Sequence, residues 1–124
     1  MIRILVADSL SSRALDLLNE IPEFEISEKT GLSSVQLLEE IKNADALIIN
    51  GSVPLTAELL TSSRDLKLIV RSSGVSGPVD EAAARKRNIE IRTALGHGSS
   101  QAADRTKDEI GVDVIVILKD FFNV

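Results

Sequence analysis

The sequence predicts an α/β sandwich of three layers built on one five-stranded parallel sheet. Three observations carry that prediction. Short β-rich apolar runs recur about every 22 residues, segments of helical period lie between them, and the runs in the middle of the series are apolar on both faces. A length of 124 residues is enough for one domain with a substantial core and short for two.

The first run is Ile2–Ala7, followed by Phe24–Ile26, Ala46–Ile49, Leu66–Val70 and Ile89–Ile91. The first, third and fourth are nearly continuous, as strands covered on both faces are. The second and fifth alternate with charge, which suits the edges of a sheet. Between the first two runs Ser11 and Ser12 can cap a helix whose Ala14, Leu15, Leu18 and Ile21 share one face. Ser33 opens the next, with Gln36 at the reciprocal capping position and Leu37, Leu38 and Ile41 on the apolar face. Thr56 opens a third segment to Ser62, and Asp80 a fourth to Arg87, whose alanines permit close packing on a sheet.

Strands alternating with helices at these lengths pair in parallel through right-handed crossovers, and five of them commonly adopt the flavodoxin-like order 2-1-3-4-5. Beyond residue 98 the character changes, with a polar stretch from Ser99 to Glu109 and a strongly apolar one from Val112 to Phe122. Ile110, Val114, Ile117 and Phe121 fall on one helical stripe. A sixth strand would also fit the Val/Ile run, but a helix is preferred because it can start at Ser99 or Ser100 and continue. The expected organisation is a domain over residues 1–106 and an apolar, helical, docking or self-associating segment over residues 107–124.

Composition excludes several chemistries. There is no Cys, hence no disulfide, thiolate nucleophile or cysteine-held metal, and one His makes a zinc centre or a Ser–His pair unexpected. A net charge of −5 repels phosphodiester and anionic lipid, and three Phe offer no platform for stacked bases, so neither nucleic acid nor membrane is an expected partner. The first apolar run is too short for a signal core or a membrane span, which leaves a cytoplasmic address as the expectation.

Ligands of parallel α/β sheets sit at the carboxyl ends of the strands. Those ends carry Asp8-Ser9, Asn50-Gly51-Ser52, Arg71-Ser72-Ser73-Gly74 and Gly96-His97-Gly98-Ser99-Ser100. Arg71 with the hydroxyls and glycines up to Gly77 can hold a carboxylate or phosphate through main-chain N–H groups, or serve as a solvated turn. The Gly96–Gln101 loop begins like a dinucleotide fingerprint but lacks its third glycine. A bound anion or a plain strand-to-helix turn fits it better. Asn50 is a poor phosphoacceptor and His97 has no acid placed to orient it, so neither a signalling receiver nor a histidine catalyst is expected.

The strand ends taken as a series, Ile4-Leu5-Val6-Ala7-Asp8, Lys29-Thr30-Gly31-Leu32-Ser33, Asp45-Ala46-Leu47-Ile48-Ile49, Leu55-Thr56-Ala57-Glu58, Leu66-Lys67-Leu68-Ile69 and Asp80-Glu81-Ala82-Ala83-Ala84, resemble the N-terminal part of D-3-phosphoglycerate dehydrogenases. These belong to the NAD-dependent D-2-hydroxyacid dehydrogenases. The likeness extends through Ala94, Gly96 and Ala102–Thr106, over about residues 2 to 106. It implies a flavodoxin-like substrate-binding domain whose nucleotide-binding and catalytic groups come from a separate domain. On that basis NAD is expected only where such a domain is supplied by another chain, and no residue here is expected to be catalytic or to ligate metal.

The departures bear on the ligand. Asn50, Gly51 and Val53 stand where the family usually has Arg, Ser and Thr; Arg71 is kept while the following glycines are displaced; Gly98 stands where Asn is usual. The resemblance therefore implies substrate contacts at Asn50, Ser52, Arg71, Ser73, Gly74, Val75 and Gly98. It implies weak binding of small anionic hydroxy or keto acids, without catalysis by the isolated chain. Two alternatives stand beside it. One is a structural module that dimerises through residues 110–124, favoured by the further apolar side chains of Val112, Val116 and Phe122. The other is half of a dehydrogenase completed by a nucleotide-binding partner.

Overall fold

The computed structural model describes residues 1–7, 10–49, 53–71, 78–94 and 107–124, the last segment with side chains from residue 111 onward. Five strands form one sheet, β1 (Ile2–Val6), β2 (Phe24–Glu28), β3 (Ala46–Ile49), β4 (Leu68–Arg71) and β5 (Glu90–Thr93), in the order β2-β1-β3-β4-β5. Every neighbouring pair is parallel. The expected order is thus observed, with the two charge-alternating strands at the edges. Pairing lengthens the edge strands beyond their apolar runs: β2 continues to Glu28 because it pairs with β1 from Ile2↔Phe24 to Val6↔Glu28. Apolarity marks only the residues that face the core, whereas the ladder fixes where a strand ends.

The helices start where the caps predict. Helix α1 (Ser12–Asn19) is capped by the Ser11 hydroxyl, which accepts from the Ala14 N–H, and α3 (Ala57–Thr61) by Thr56. Asp80 caps α4 (Glu81–Lys86) by accepting from the Ala83 N–H at 3.0 Å. Ser33 and Gln36 form a reciprocal box at the start of α2 (Ser34–Glu40), which runs on into a 3₁₀ turn, Ile41–Asn43. Each such cap is worth about 1 kcal/mol.

Helices α2, α3 and α4 cover one face of the sheet, burying Leu5, Leu47, Ile49 and Ile69 against Leu37, Ile41, Leu59, Leu60 and Ala84. On the other face Ile4, Val6, Ile48, Leu68 and Val70 meet α1 and α5 (Lys107–Phe122). The C-terminal apolar run is therefore helix, as preferred. Its buried line is Gly111, Val114 and Leu118, with Ile115, Ile117, Phe121 and Phe122 flanking it. Val114, Ile117 and Phe121 of the expected stripe pack on this face, the Ile110 side chain lies outside the described residues, and Gly111 lies against Ala14 of α1: a Cβ built on Gly111 would stand 2.4 Å from the Ala14 Cβ.

The carboxy-terminal turns of α5 are pinned by the only aromatic residues of the chain. Phe122 meets Phe24 edge-on at 6.2 Å and Phe121 at 4.9 Å. Arg92 of β5 donates to Asp120 at 3.1 Å, pairs with Glu90 and lies over the Phe121 ring at 5.9 Å. Asp120 first and Glu90 second hold the Arg92 guanidinium above the usual arginine range, so this pairing does not vary across physiological pH.

Replacing Gly111 by Ala tests the α1–α5 approach. In an isolated helix Gly→Ala stabilises by about 1 kcal/mol. Here the overpacked contact reverses the sign, and chemical denaturation is expected to show a loss of about 1–3 kcal/mol.

Candidate functional site

A parallel sheet sends all of its carboxyl ends to one edge, here Val6, Ile49, Arg71 and Thr93, and that edge holds the site. Arg71 closes β4 and is buried, 5% exposed, between in-register neighbours Ile49 of β3 and Thr93 of β5. Its carbonyl accepts the Ala94 N–H at 2.8 Å. In-register residues of a parallel ladder project from the same face, so the Arg71 side chain leaves the sheet beside Ile49, on the side of α2, α3 and α4.

Beside Ile49, at the reversal of strand order between β1 and β3, lies a cavity of about 270 Å³. Ala7 and Ile49 form its sheet side, Leu37 its helix side, and Val53 comes from the segment after β3. The turn Gly31-Leu32-Ser33 with Ser34 closes the remaining side. Gly31 has φ +69°, a left-handed backbone that glycine adopts without strain. The lining is mainly aliphatic, with the hydroxyls of Ser33 and Ser34 at the entrance to α2. Ser33 is engaged in the capping box, which fixes that wall. Lys29, just before the turn, pairs with Glu40 at 2.8 Å.

The segments that follow β3 and β4 are tied together where they return to the fold. Leu55 and Val79 form a parallel bridge; the Leu55 N–H donates to the Pro78 carbonyl and the Asp80 N–H to the Leu55 carbonyl, both at 2.8 Å. Leu55 itself is fully buried. This bridge sets the starts of α3 and α4 relative to each other, and with them the returning ends of both strand-end segments.

Of the residues expected to contact a ligand, Arg71 is placed at the sheet edge. Asn50, Ser52, Ser73, Gly74, Val75 and Gly98 lie outside the described residues, as do Asp8 and His97. Sequence reasoning did not find the cavity, although it had singled out both the Gly31–Ser33 turn and Val53. Their convergence follows from strand order, which no local signal carries. Among the described residues no group of His, Asp or Glu side chains is arranged to hold a metal ion. Nor is any helix among them long and apolar enough to cross a membrane.

Residues 4–117 match the family described as D-isomer specific 2-hydroxyacid dehydrogenase, catalytic domain. The chain belongs to that family. It is 33% identical over 106 residues to the D-3-phosphoglycerate dehydrogenase of Methanocaldococcus jannaschii, covering 86% of this chain and 20% of that protein. With the Archaeoglobus fulgidus D-3-phosphoglycerate dehydrogenase it shares 28% over 102 residues, 82% of this chain and 19% of the relative. This chain thus spans about one-fifth of the length of the curated relatives it matches.

A solved Thermus thermophilus protein superposes with a TM-score of 0.63 at 33% identity, over 73% of this chain and 29% of its own. The NAD+-bound 3-phosphoglycerate dehydrogenase of Entamoeba histolytica gives 0.66 at 22% identity, over 77% and 33%. The latter likeness is one of fold. The described residues of this family member form a single parallel sheet.

Truncating Leu55 to Ala should remove about 2–5 kcal/mol of stability. Because Leu55 joins the two strand-end segments, the same variant should increase amide exchange at Leu55, Thr56, Val79 and Asp80 more than within β1 and β2, as read by hydrogen exchange.

Proposed function

We propose that this chain is the substrate-side domain of a 2-hydroxyacid dehydrogenase, which binds a small anionic hydroxy or keto acid at the carboxyl edge of its sheet and does not transfer hydride by itself. Family membership over residues 4–117 supports the reaction class. The observation that carries the binding role is Arg71, a cationic residue at the carboxyl end of β4, one strand removed from the strand-order reversal between β1 and β3. A carboxylate is the natural partner for such a group, because a charge-assisted, two-pronged hydrogen bond matches its planar fork.

In this reading the acid's carboxylate is held near Arg71, with Asn50, Ser52, Ser73, Gly74, Val75 and Gly98 supplying further polar contacts from the strand ends. Oxidising the substrate removes a hydride from C2 and a proton from its hydroxyl, so both a nicotinamide and a base must face C2. We assign both to a nucleotide-binding domain outside the present residues. The share of the relatives' length that this chain spans supports that division. Affinity of the isolated chain is expected to be weak, since one side of the ligand remains in water.

A second reading, self-association through α5, is favoured by the exposure of Val112 and Val116, 37% and 52%. Light scattering at rising concentration separates it from a purely monomeric domain.

Titration of the isotopically labelled chain with 3-phosphoglycerate and with pyruvate, followed by NMR, tests acid binding. Amide shifts at Arg71 and Ala94 are expected at millimolar ligand. Arg71→Lys keeps the charge but loses the fork, and should weaken binding about 10-fold or more. Mixing the chain alone with NADH and a keto acid should leave the nicotinamide absorbance unchanged. Saturating acid without shifts at the sheet edge would remove the binding role, and nicotinamide oxidation by the chain alone would remove the proposed division of labour.

A further inference from the structure

We propose that β5 is a self-pairing edge, through which two copies of this chain join antiparallel into one continuous sheet. The hydrogen-bond pattern leaves that edge open. Glu90 and Ala94 give their N–H groups to the carbonyls of Lys67 and Arg71, on the β4 side. Backbone direction alternates along a strand, so the N–H and C=O groups of Ile91 and Thr93 face away from β4. Among the described residues no strand lies beyond β5, and neither Ile91 nor Thr93 makes a backbone bond on that outer side. Ile89 differs: its N–H donates to the Ala84 carbonyl of α4 at 2.9 Å, which leaves its own carbonyl as an outward acceptor.

Charge selects a second copy as the occupant. Glu90 and Arg92 project from the face covered by α5, where Arg92 meets Asp120, and Ile91 projects to the other face and packs on the core under α2, α3 and α4. With two β5 strands antiparallel about a two-fold axis at Ile91, Glu90 of each copy stands opposite Arg92 of the other, and Arg92 keeps Asp120 beside it. Opposite charges directly across a strand pair attract. The Ile91 pair then exchanges both of its backbone bonds, and each Thr93 N–H donates to the Ile89 carbonyl of the other copy. Moving the axis to Arg92 would set two guanidinium groups against each other, so charge also fixes the register. The opposite edge lacks this complementarity: β2 carries Glu25 and Glu28 and no cation, and two copies meeting there would bring only acidic groups together. A two-fold contact closes on itself and stops at the dimer. Because the paired strands run in opposite directions, the two carboxyl edges with their Arg71 residues point away from each other.

Sedimentation equilibrium and amide hydrogen exchange on the whole chain, from about 10 μM to about 1 mM, test this. The expected result is a reversible monomer–dimer equilibrium, with slower exchange at Ile91 and Thr93 as the dimer fills. Glu90→Arg leaves only cations on the edge and Arg92→Glu only anions, so each variant alone should associate about 10-fold or more weakly than the unaltered chain. An equimolar mixture of the two should recover association as a heterodimer, which a mere loss of stability in either variant would not produce. Val112 and Val116 lie across α5 from Val114 and Leu118, away from the sheet, and replacing both by Ser should leave the equilibrium unchanged. An unaltered chain that stays monomeric at the highest concentration, or that grows beyond the dimer, would overturn the proposal. So would a dimer whose Ile91 and Thr93 amides gain no protection, a reading that needs no variant. A mixture of the two folded variants that stays apart, or a dimer dissolved by the valine substitutions, would overturn it as well.

Discussion

The two central strands must be buried on both faces, and most of the structure follows from that requirement. Every residue of β3 and β4 is buried. A parallel sheet of this kind has no solvated side, so each face needs helices, and the crossovers supply three to one face but only α1 to the other. Without α5, Ile48, Leu68 and Val70 would meet water on the α1 side. Fully burying a Val, Leu or Ile side chain contributes about 1.5–3 kcal/mol, so leaving three of them exposed would cost a large part of a small domain's net stability.

That demand explains the detailed form of the C-terminal helix. It must come close enough to α1 to close the layer, and the Gly111–Ala14 contact permits this where any Cβ on the glycine would collide. Its far end is held by packing on Phe24, at the amino end of β2, and by Arg92 of β5. The exposed Arg92–Asp120 pair adds orientation more than energy, since surface ion pairs contribute about 0–1 kcal/mol.

At the carboxyl edge, the same two-sided burial sets the surroundings of Arg71. Burying Arg71 beside Ile49 places a cation and an aliphatic side chain next to each other. The strand-order reversal opens space between β1 and β3 because their connecting helices depart to opposite faces, and the turn before α2 closes that space with Leu32 rather than with a charge. The Leu55–Val79 bridge then ties together the segments that return to the fold after β3 and β4.

The sequence by itself determined the alternation of strands and helices, the choice of edge strands, the caps at Ser11, Ser33, Thr56 and Asp80, and the family. Each of these is written in neighbouring residues: continuous apolarity where a strand is covered twice, a hydroxyl or carboxylate where the first helical N–H groups need an acceptor. Arg71 was legible as an anion-binding candidate for the same reason, being a cation at a strand end. The close approach of α5 to α1, which brings Gly111 and Leu118 to the buried face beside Val114, was decided only by tertiary structure. So were the Arg92–Asp120 contact across 28 residues and the pocket beneath Val53. These depend on how one element is turned against another distant in the chain, and periodicity states that a helix has an apolar face without stating which residue of that face yields to the neighbour's backbone.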